Sequence, residues 1–189
     1  MVNGFTGDIA IAGVVLAGGA SRRMGSDKAL LEVDGLALAV RVAAVLDRSG
    51  CSPVWCQGGD TVRLTACGLK VVADAAPGEG PLLAIRDALR HADGSGIIVA
   101  ACDLVDLDRE AVELLLRAPM EESDVAVARA AGETHLLARW TPGTLARLDW
   151  IIDQGVRSFR GALRMLRSIE VEVPENAVRN VNRPEDLDR

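Results

Sequence analysis

The sequence has few aromatic residues and few of the side chains that usually bind transition metals. Its 189 residues include three Trp, two Phe and no Tyr, so a buried core must be built mainly from aliphatic side chains. There are only two histidines, His91 and His135, and none of the four cysteines forms a C-x-x-C pair. This pattern does not predict a zinc site. We expect the cysteines to be small buried side chains in a reducing compartment; they are Cys51, Cys56, Cys67 and Cys102.

Long hydrophobic runs and an excess of positive charge are also absent from the sequence. No apolar stretch reaches the roughly 18–20 residues that a membrane-spanning helix needs. The net charge is −6 and no basic run occurs, which argues against non-specific binding of nucleic acid. Residues 1–8 lack the positive segment and the apolar segment of a signal peptide. These features predict a cytoplasmic protein, and the length is most simply that of one domain, 1–189.

Lysine is scarce too, since the 21 basic residues include only Lys28 and Lys70 besides arginines. The chain contains neither the P-loop pattern G-x-x-x-x-G-K-[ST] nor the dinucleotide fingerprint G-x-G-x-x-G. After the first predicted strand comes instead a glycine-rich segment with Arg22, Arg23 and Lys28. Glycines let backbone N–H groups approach a polyphosphate, and the basic side chains supply the opposing charge. The segment predicts a phosphate-binding loop with a compact charge at Lys28; the alternative is a solvated lysine at a helix start.

Strand and helix patterns alternate along the chain. This alternation predicts βαβ units and an α/β fold with three layers, a Rossmann-like arrangement around a mostly parallel central sheet. The predicted strands are Ile11–Leu16, Pro53–Cys56, Leu69–Ala73, Gly96–Ala101, Val125–Arg129, His135–Trp140 and Ile169–Val173. The predicted helices are Leu36–Arg48, Asp60–Cys67, Pro81–His91, Asp108–Arg117, Pro142–Asp153 and Phe159–Leu166, with a terminal helical turn at Pro184–Leu187.

Three groups of polar residues follow predicted strands directly. The glycine-rich segment follows the first strand, Asp74 the third and Asp103 the fourth. Because parallel strands end at the same edge of a sheet, and ligands bind beyond that edge, we expect these groups to form one site.

Four segments resemble the MobA-like nucleotidyltransferases. Residues 16–29, L-A-G-G-A-S-R-R-M-G-S-D-K-A, are similar to the signature loop of that family. The others are G-P-L-L-A-I at 80–85, A-C-D-L at 101–104 and N-V-N-R-P-E-D-L at 180–187, in the family's order. The C-terminal block favours the family's guanylyl-transferring, molybdenum-cofactor branch. The resemblance implies a nucleotidyltransferase fold and a Mg²⁺-dependent transfer of GMP from GTP to molybdopterin, with release of pyrophosphate.

The resemblance also implies roles for individual residues. The turn after the first strand would hold the nucleoside through the backbone of Leu16, Ala17, Gly18 and Gly19. Arg22, Arg23 and Lys28 would face the phosphates, with Arg23, Lys28 and Asp103 as catalytic residues. Asp74 matches an aspartate that reaches the nucleotide. Asn180 and Asn182 match the asparagines of the C-terminal block and are expected on the acceptor side. His135 matches a family histidine, but a structural role suits a lone histidine among apolar residues better.

Asp103 is the expected metal ligand, because Mg²⁺ prefers carboxylate and phosphate oxygens. The alternative is that Asp103 caps a turn or helix, but Asp106 and Asp108 already offer caps for the helix that follows. Asn182 is a candidate second Mg²⁺ ligand. The competing role of Asn182 is a helix cap, since Glu185 lies three residues further on.

The sequence leaves two alternatives to guanylyl transfer. The family often has an asparagine near Cys56, and this chain does not, so a cytidylyltransferase acting on the same cofactor remains an alternative. A second alternative is a nucleotide-binding regulatory or carrier protein without catalysis. The expected partners are GTP and molybdopterin, with transient contacts to proteins that supply or accept the cofactor, and neither nucleic acid nor membrane.

Overall fold

The computed structural model describes residues 11–18 and 28–181. Among these residues the strands are β1 (Ala12–Leu16), β2 (Glu32–Val33), β3 (Leu36–Ala37), β4 (Val54–Gln57), β5 (Val71–Val72), β6 (Ile97–Ala101), β7 (Val125–Ala130), β8 (Glu133–Trp140) and β9 (Ser168–Glu172). The α-helices are α1 (Leu38–Arg48), α2 (Thr61–Ala66), α3 (Pro81–His91), α4 (Arg109–Leu116), α5 (Leu145–Asp153) and α6 (Phe159–Leu163).

Seven of these strands form one sheet in the order β5-β4-β1-β6-β8-β7-β9. Strand β8 runs antiparallel to both of its neighbours, and the other pairings in this sheet are parallel. The predicted mostly parallel central sheet is therefore confirmed. All five residues of β1 are buried, as expected for a central strand covered on both faces.

Helices cover both faces of the sheet, which gives the predicted three layers. Successive side chains of a strand point to opposite faces, so Val14 and Val15 belong to different halves of the core. Val15 packs in a cluster with Val42 of α1 and Leu115 of α4. Val14 packs in the other cluster, whose members from α3, α5 and α6 include Leu82, Ile85, Leu148, Ile151 and Phe159.

Residues 32–37 form a hairpin that the sequence did not predict. The predicted helix Leu36–Arg48 begins only at Leu38, because Leu36 and Ala37 pair with Glu32–Val33 in a two-stranded hairpin. Asp34 and Gly35 form its turn with φ values of 53° and 75°. Positive φ at both central residues is the geometry that an Asp-Gly pair favours in tight hairpins.

Smaller corrections concern helix ends and one cysteine. The predicted helix Phe159–Leu166 ends at Leu163, and the predicted helix from Pro142 begins as a 3-10 turn, Pro142–Thr144, before α5. Cys67 is exposed, whereas the other three cysteines are buried as expected. The predicted turn Pro184–Leu187 lies outside the described residues. Across residues 11–18 and 28–181, no helix has the length and apolar character needed to span a bilayer.

Candidate functional site

Strands β1, β4, β5 and β6 are mutually parallel, so their carboxyl ends lie at one edge of the sheet. The candidate site lies at this edge. The carboxyl ends of the four strands carry Gly18, Gln57, Asp74 and Asp103 within a few residues. The structure thus brings together the groups that the sequence placed at one edge of the sheet.

Lys28 and Asp103 form an ion pair across this edge. The Lys28 Nζ atom donates to Asp103 Oδ2 at 2.6 Å, and the two side chains are only 16% and 18% exposed. Lys28 begins a 3-10 turn, Lys28–Leu30, that follows the glycine-rich segment. The alternative of a solvated lysine is therefore excluded in this structure, and the two predicted site residues are in direct contact.

The second carboxylate oxygen of Asp103 has no protein partner among the described residues. Asp103 Oδ1 is buried without a hydrogen bond. The carboxylate does not cap the helix that follows, since Asp108 caps α4 by accepting from the Ala111 N–H at 2.9 Å. Asp106, which was expected to offer a cap, pairs with Arg179 instead. A buried, unsatisfied carboxylate oxygen costs free energy, and it is the ligand that Mg²⁺ prefers.

The described residues contain no cluster of three or more His, Cys, Asp or Glu side chains that could hold a metal ion. A cation at Asp103 would therefore take most of its ligands from elsewhere. This fits Mg²⁺, which is commonly bound by one or two carboxylates together with substrate phosphates and water.

Asp74 lies against the glycines of the neighbouring strand ends. A Cβ atom built at Gly18 or Gly58 would overlap its Oδ2 atom, so glycine is needed at both positions for this close approach. Burial raises the pKa of Asp74, the hydrogen bond from Gln57 lowers it, and the negative charge of Asp87 raises it further; the net direction is upward.

Gln57 is a site residue to which sequence analysis assigned no role. Its side chain is fully buried, and its Nε2 donates to Asp74 Oδ1 at 3.3 Å. The signal that could have revealed it is a polar amide at the end of the short, largely buried strand Val54–Gln57.

The turn after β1 is also bound to Gln57, through the main chain. The N–H groups of Ala17 and Gly18 both donate to the Gln57 carbonyl, at 3.0 and 3.3 Å, and the Leu16 carbonyl accepts from the Cys102 N–H at 3.2 Å. These hydrogen bonds extend the sheet past the formal strand ends. Because these bonds occupy the N–H groups of Ala17 and Gly18, a ligand would contact other atoms of these two residues.

The chain returns to the site at its C-terminal end. The Val181 N–H donates to the Asp103 carbonyl at 3.1 Å, and the Val105 N–H donates to the Arg179 carbonyl at 3.3 Å. Asn180 forms an isolated bridge with Leu104, so it lies beside Asp103 with its side chain exposed. Gly19, Arg22, Arg23 and Asn182 are outside the described residues.

His135 lies at the same edge of the sheet. It is two residues before Leu137 on the antiparallel strand β8, and Leu137 pairs with Ala100 near the end of β6. The side chain is half-buried. The position agrees with either a structural or a ligand-facing role.

Comparison with known proteins identifies relatives over most of the chain. The model of the MobA-like NTP transferase domain matches residues 13–168. Proteins named probable molybdenum cofactor guanylyltransferase are similar to the chain. The one from Opitutus terrae is 37% identical over 190 residues, covering 95% of this chain and 94% of that protein. The one from Mycobacterium avium is 32% identical over 183 residues, covering 94% and 93%.

A solved structure agrees with these sequence matches. The crystal structure of molybdopterin-guanine dinucleotide biosynthesis protein A from Archaeoglobus fulgidus aligns with a TM-score of 0.71 and 25% identity, covering 94% of this chain and 95% of that one. The fold described above is therefore shared with that protein.

Proposed function

Because the chain belongs to the MobA-like NTP transferase family, we propose that it transfers GMP from GTP to molybdopterin and releases pyrophosphate. Relatives that cover nearly the whole chain carry the name molybdenum cofactor guanylyltransferase, which supports the guanine nucleotide and the acceptor. The observation that carries the proposal is the Lys28–Asp103 pair with an unsatisfied Asp103 oxygen at the carboxyl edge of the sheet.

In this proposal each part of GTP has a set of protein groups. The nucleoside lies over the turn of Leu16, Ala17, Gly18 and Gly19, within reach of Asp74. Lys28, with Arg22 and Arg23, binds the phosphates and stabilises the charge of the departing pyrophosphate. Asn180 and Asn182 lie on the acceptor side.

Mg²⁺ fits the site as a cofactor held by Asp103 Oδ1, with Asn182 as a second candidate ligand. When bound, the ion would neutralise charge on the phosphate oxygens. The contact with Lys28 orients the Asp103 carboxylate before the nucleotide arrives.

The reaction needs no nucleophile from the protein. An oxygen of the terminal phosphate of molybdopterin attacks the α-phosphorus of GTP, and the bond from that phosphorus to pyrophosphate breaks. The protein contributes alignment of the two phosphates and electrostatic stabilisation, which dominate in such transfers. A cytoplasmic location and transient contacts with proteins that supply or accept the cofactor stay predictions.

The test is pyrophosphate release from purified protein with Mg²⁺ and molybdopterin, comparing GTP, CTP and ATP. We expect release with GTP. Release with CTP alone would keep the mechanism and change the base, whereas silence with all three nucleotides and intact cofactor would contradict the proposed transfer and favour the binding-protein alternative.

A further inference from the structure

Two successive hydrogen bonds between side chains connect the buried Trp55 to Asp74 through Gln57. Trp55 and Gln57 are alternate residues of β4 and therefore point to the same face of the sheet. Both are buried, at 3% and 0% exposure. Trp55 Nε1 donates to Gln57 Oε1 at 3.3 Å, and Gln57 Nε2 donates to Asp74 Oδ1 at 3.3 Å and to the Ala73 carbonyl at 3.4 Å.

The chemistry of these groups determines which atom donates in each of the two hydrogen bonds. An indole nitrogen can only donate a hydrogen bond, so the amide oxygen of Gln57 must face Trp55 and its NH₂ group must face Asp74. The amide oxygen is fully buried, and without Trp55 it would have to move to find another donor or stay unsatisfied. Trp55 therefore holds the Gln57 side chain in the position from which it reaches Asp74.

The two oxygens of Asp74 have different surroundings. Oδ1 accepts from Gln57, whereas Oδ2 lies so close to Gly18 and Gly58 that a side chain at either glycine would overlap it. With Oδ1 held from the sheet interior, Oδ2 is directed toward the turn that follows β1.

We propose that Trp55 and Gln57 are positioning residues that aim Asp74 Oδ2 at a hydrogen-bond donor of the nucleotide bound over Gly18. This rests on the proposed function for the identity of the ligand. Neither residue needs to touch the nucleotide, because both side chains are buried beneath Asp74.

The first test compares Trp55→Phe with Trp140→Phe. Each variant removes one buried indole of equal size, but Trp140 Nε1 has no hydrogen-bond partner among the described residues, so only Trp55→Phe removes a hydrogen bond. We expect the Kd for GTP with Mg²⁺, measured by calorimetry, to rise about five- to tenfold in Trp55→Phe, as for loss of one hydrogen bond between neutral groups. Trp140→Phe should stay within about twofold of the unmodified protein.

Gln57→Asn is the second variant, because its amide is one methylene too short to span Trp55 and Asp74. It should weaken GTP binding in the same way, which would appear as a rise in the KM for GTP by a similar factor. A folded Trp55→Phe protein that binds GTP as tightly as Trp140→Phe would overturn the proposal.

The second measurement needs no nucleotide, namely the titration of the Asp74 carboxyl carbon by NMR. Among the described residues, the groups that affect the pKa of Asp74 are Gln57 of β4 and Asp87 of α3, whose carboxylate also pairs with Arg86. Since the Gln57 hydrogen bond lowers the pKa of Asp74, Trp55→Phe and Gln57→Asn should raise it further, and Trp140→Phe should leave it unchanged.

The two measurements separate this proposal from the proposed function. An unchanged Asp74 titration in Trp55→Phe would overturn the positioning of Asp74 whatever the ligand is. A shifted titration in a protein that binds no GTP would overturn the nucleotide role and the proposed function, while the positioning of Asp74 would stand.

Discussion

The contact between Lys28 and Asp103 joins two residues that are 75 positions apart in the chain. The sequence predicted the two residues separately. Glycines with basic side chains indicate a phosphate-binding loop, and an aspartate after a buried strand indicates a metal ligand at the edge of the sheet. The hydrogen bonds that connect Trp55, Gln57 and Asp74 were not predictable in this way. They depend on the register of β4 against β5 and on side-chain depth, and neither is visible in the sequence.

Replacing Lys28 by Ala should lower turnover by about 10²–10³-fold, the usual effect of removing one group that stabilises charge in the transition state. Asp103→Asn should have an effect of similar size, because it removes the carboxylate charge that suits Mg²⁺. The matched control is Lys70→Ala, which removes the only other lysine, an exposed one. Pyrophosphate release by each folded variant is the measurement, and near-normal rates in both site variants would contradict these roles.

Gly18→Ala should weaken GTP binding without unfolding the protein. The added methyl group would overlap the Asp74 carboxylate, and the side chain would have to leave the position held by Gln57. We expect the KM for GTP to rise about tenfold, the equivalent of about 1.4 kcal/mol. Gly143→Ala is the control, because a Cβ atom there meets nothing within 4 Å. Equal KM values in the two variants would mean that the position of Asp74 does not affect GTP binding.

At the scale of elements, the buried strands were the easiest to predict and the hairpin β2–β3 was the hardest. Ile97–Ala101 is a continuous apolar run that has the length of a strand and is too short for a typical helix, so it indicates a buried strand. The hairpin has only two residues in each strand, too few for an alternating pattern to show. Asp34-Gly35 was the available signal, but the apolar residues after it also fit a helix.

Asp124 joins three elements on the side of the sheet that carries β7 and β9. Its side chain is buried, and its carboxylate accepts from Arg147 of α5 at 2.9 Å and from the Arg167 backbone N–H, just before β9, at 2.9 Å. Asp124→Asn should reduce the free energy of unfolding at neutral pH by about 2–4 kcal/mol, because several hydrogen bonds to a charged acceptor are weakened together. Asp149→Asn is the control, since its pair with Arg90 is 37% and 50% exposed and should contribute under about 1 kcal/mol.

The pH dependence of this effect has a definite sign. Burial alone would raise the pKa of Asp124, but the hydrogen bonds and charges of Arg167 and Arg147 outweigh it and lower the pKa below its ordinary value. A carboxyl with a depressed pKa in the folded state stabilises the protein above its unfolded pKa of about 3.9, and that contribution is lost as the pH falls through the folded value. Urea unfolding should therefore show a large gap between Asp124→Asn and the unmodified protein at pH 7 and a shrinking gap below about pH 4. A gap that is constant across pH would mean that the charge of Asp124 is not responsible.

At the scale of the whole molecule, the parallel half of the sheet explains why residues from distant parts of the chain meet. Strands β1, β4, β5 and β6 all end at one edge, and the segment before Asn182 returns to that edge beside Asp103. Alternation of strands and helices predicted this edge. It could not predict how far the ends extend past the strands, because the hydrogen bonds of Ala17 and Gly18 to Gln57 are backbone contacts without a sequence signature.

Ligand binding at this edge should stabilise the whole fold, because a ligand that binds only the native state shifts the unfolding equilibrium. At 100 times its Kd, GTP with Mg²⁺ should add about 2.7 kcal/mol, which corresponds to a rise in Tm of roughly 5–10 °C for a chain of this length. The measurement is thermal unfolding with GTP in Mg²⁺ and in a chelator, for the unmodified protein, Asp103→Asn and Lys70→Ala. The metal-dependent part of the shift should disappear in Asp103→Asn and persist in Lys70→Ala. A shift of equal size with and without the metal would instead favour a nucleotide-binding protein, because a site that binds GTP without regard to Mg²⁺ has no use for the unsatisfied oxygen of Asp103.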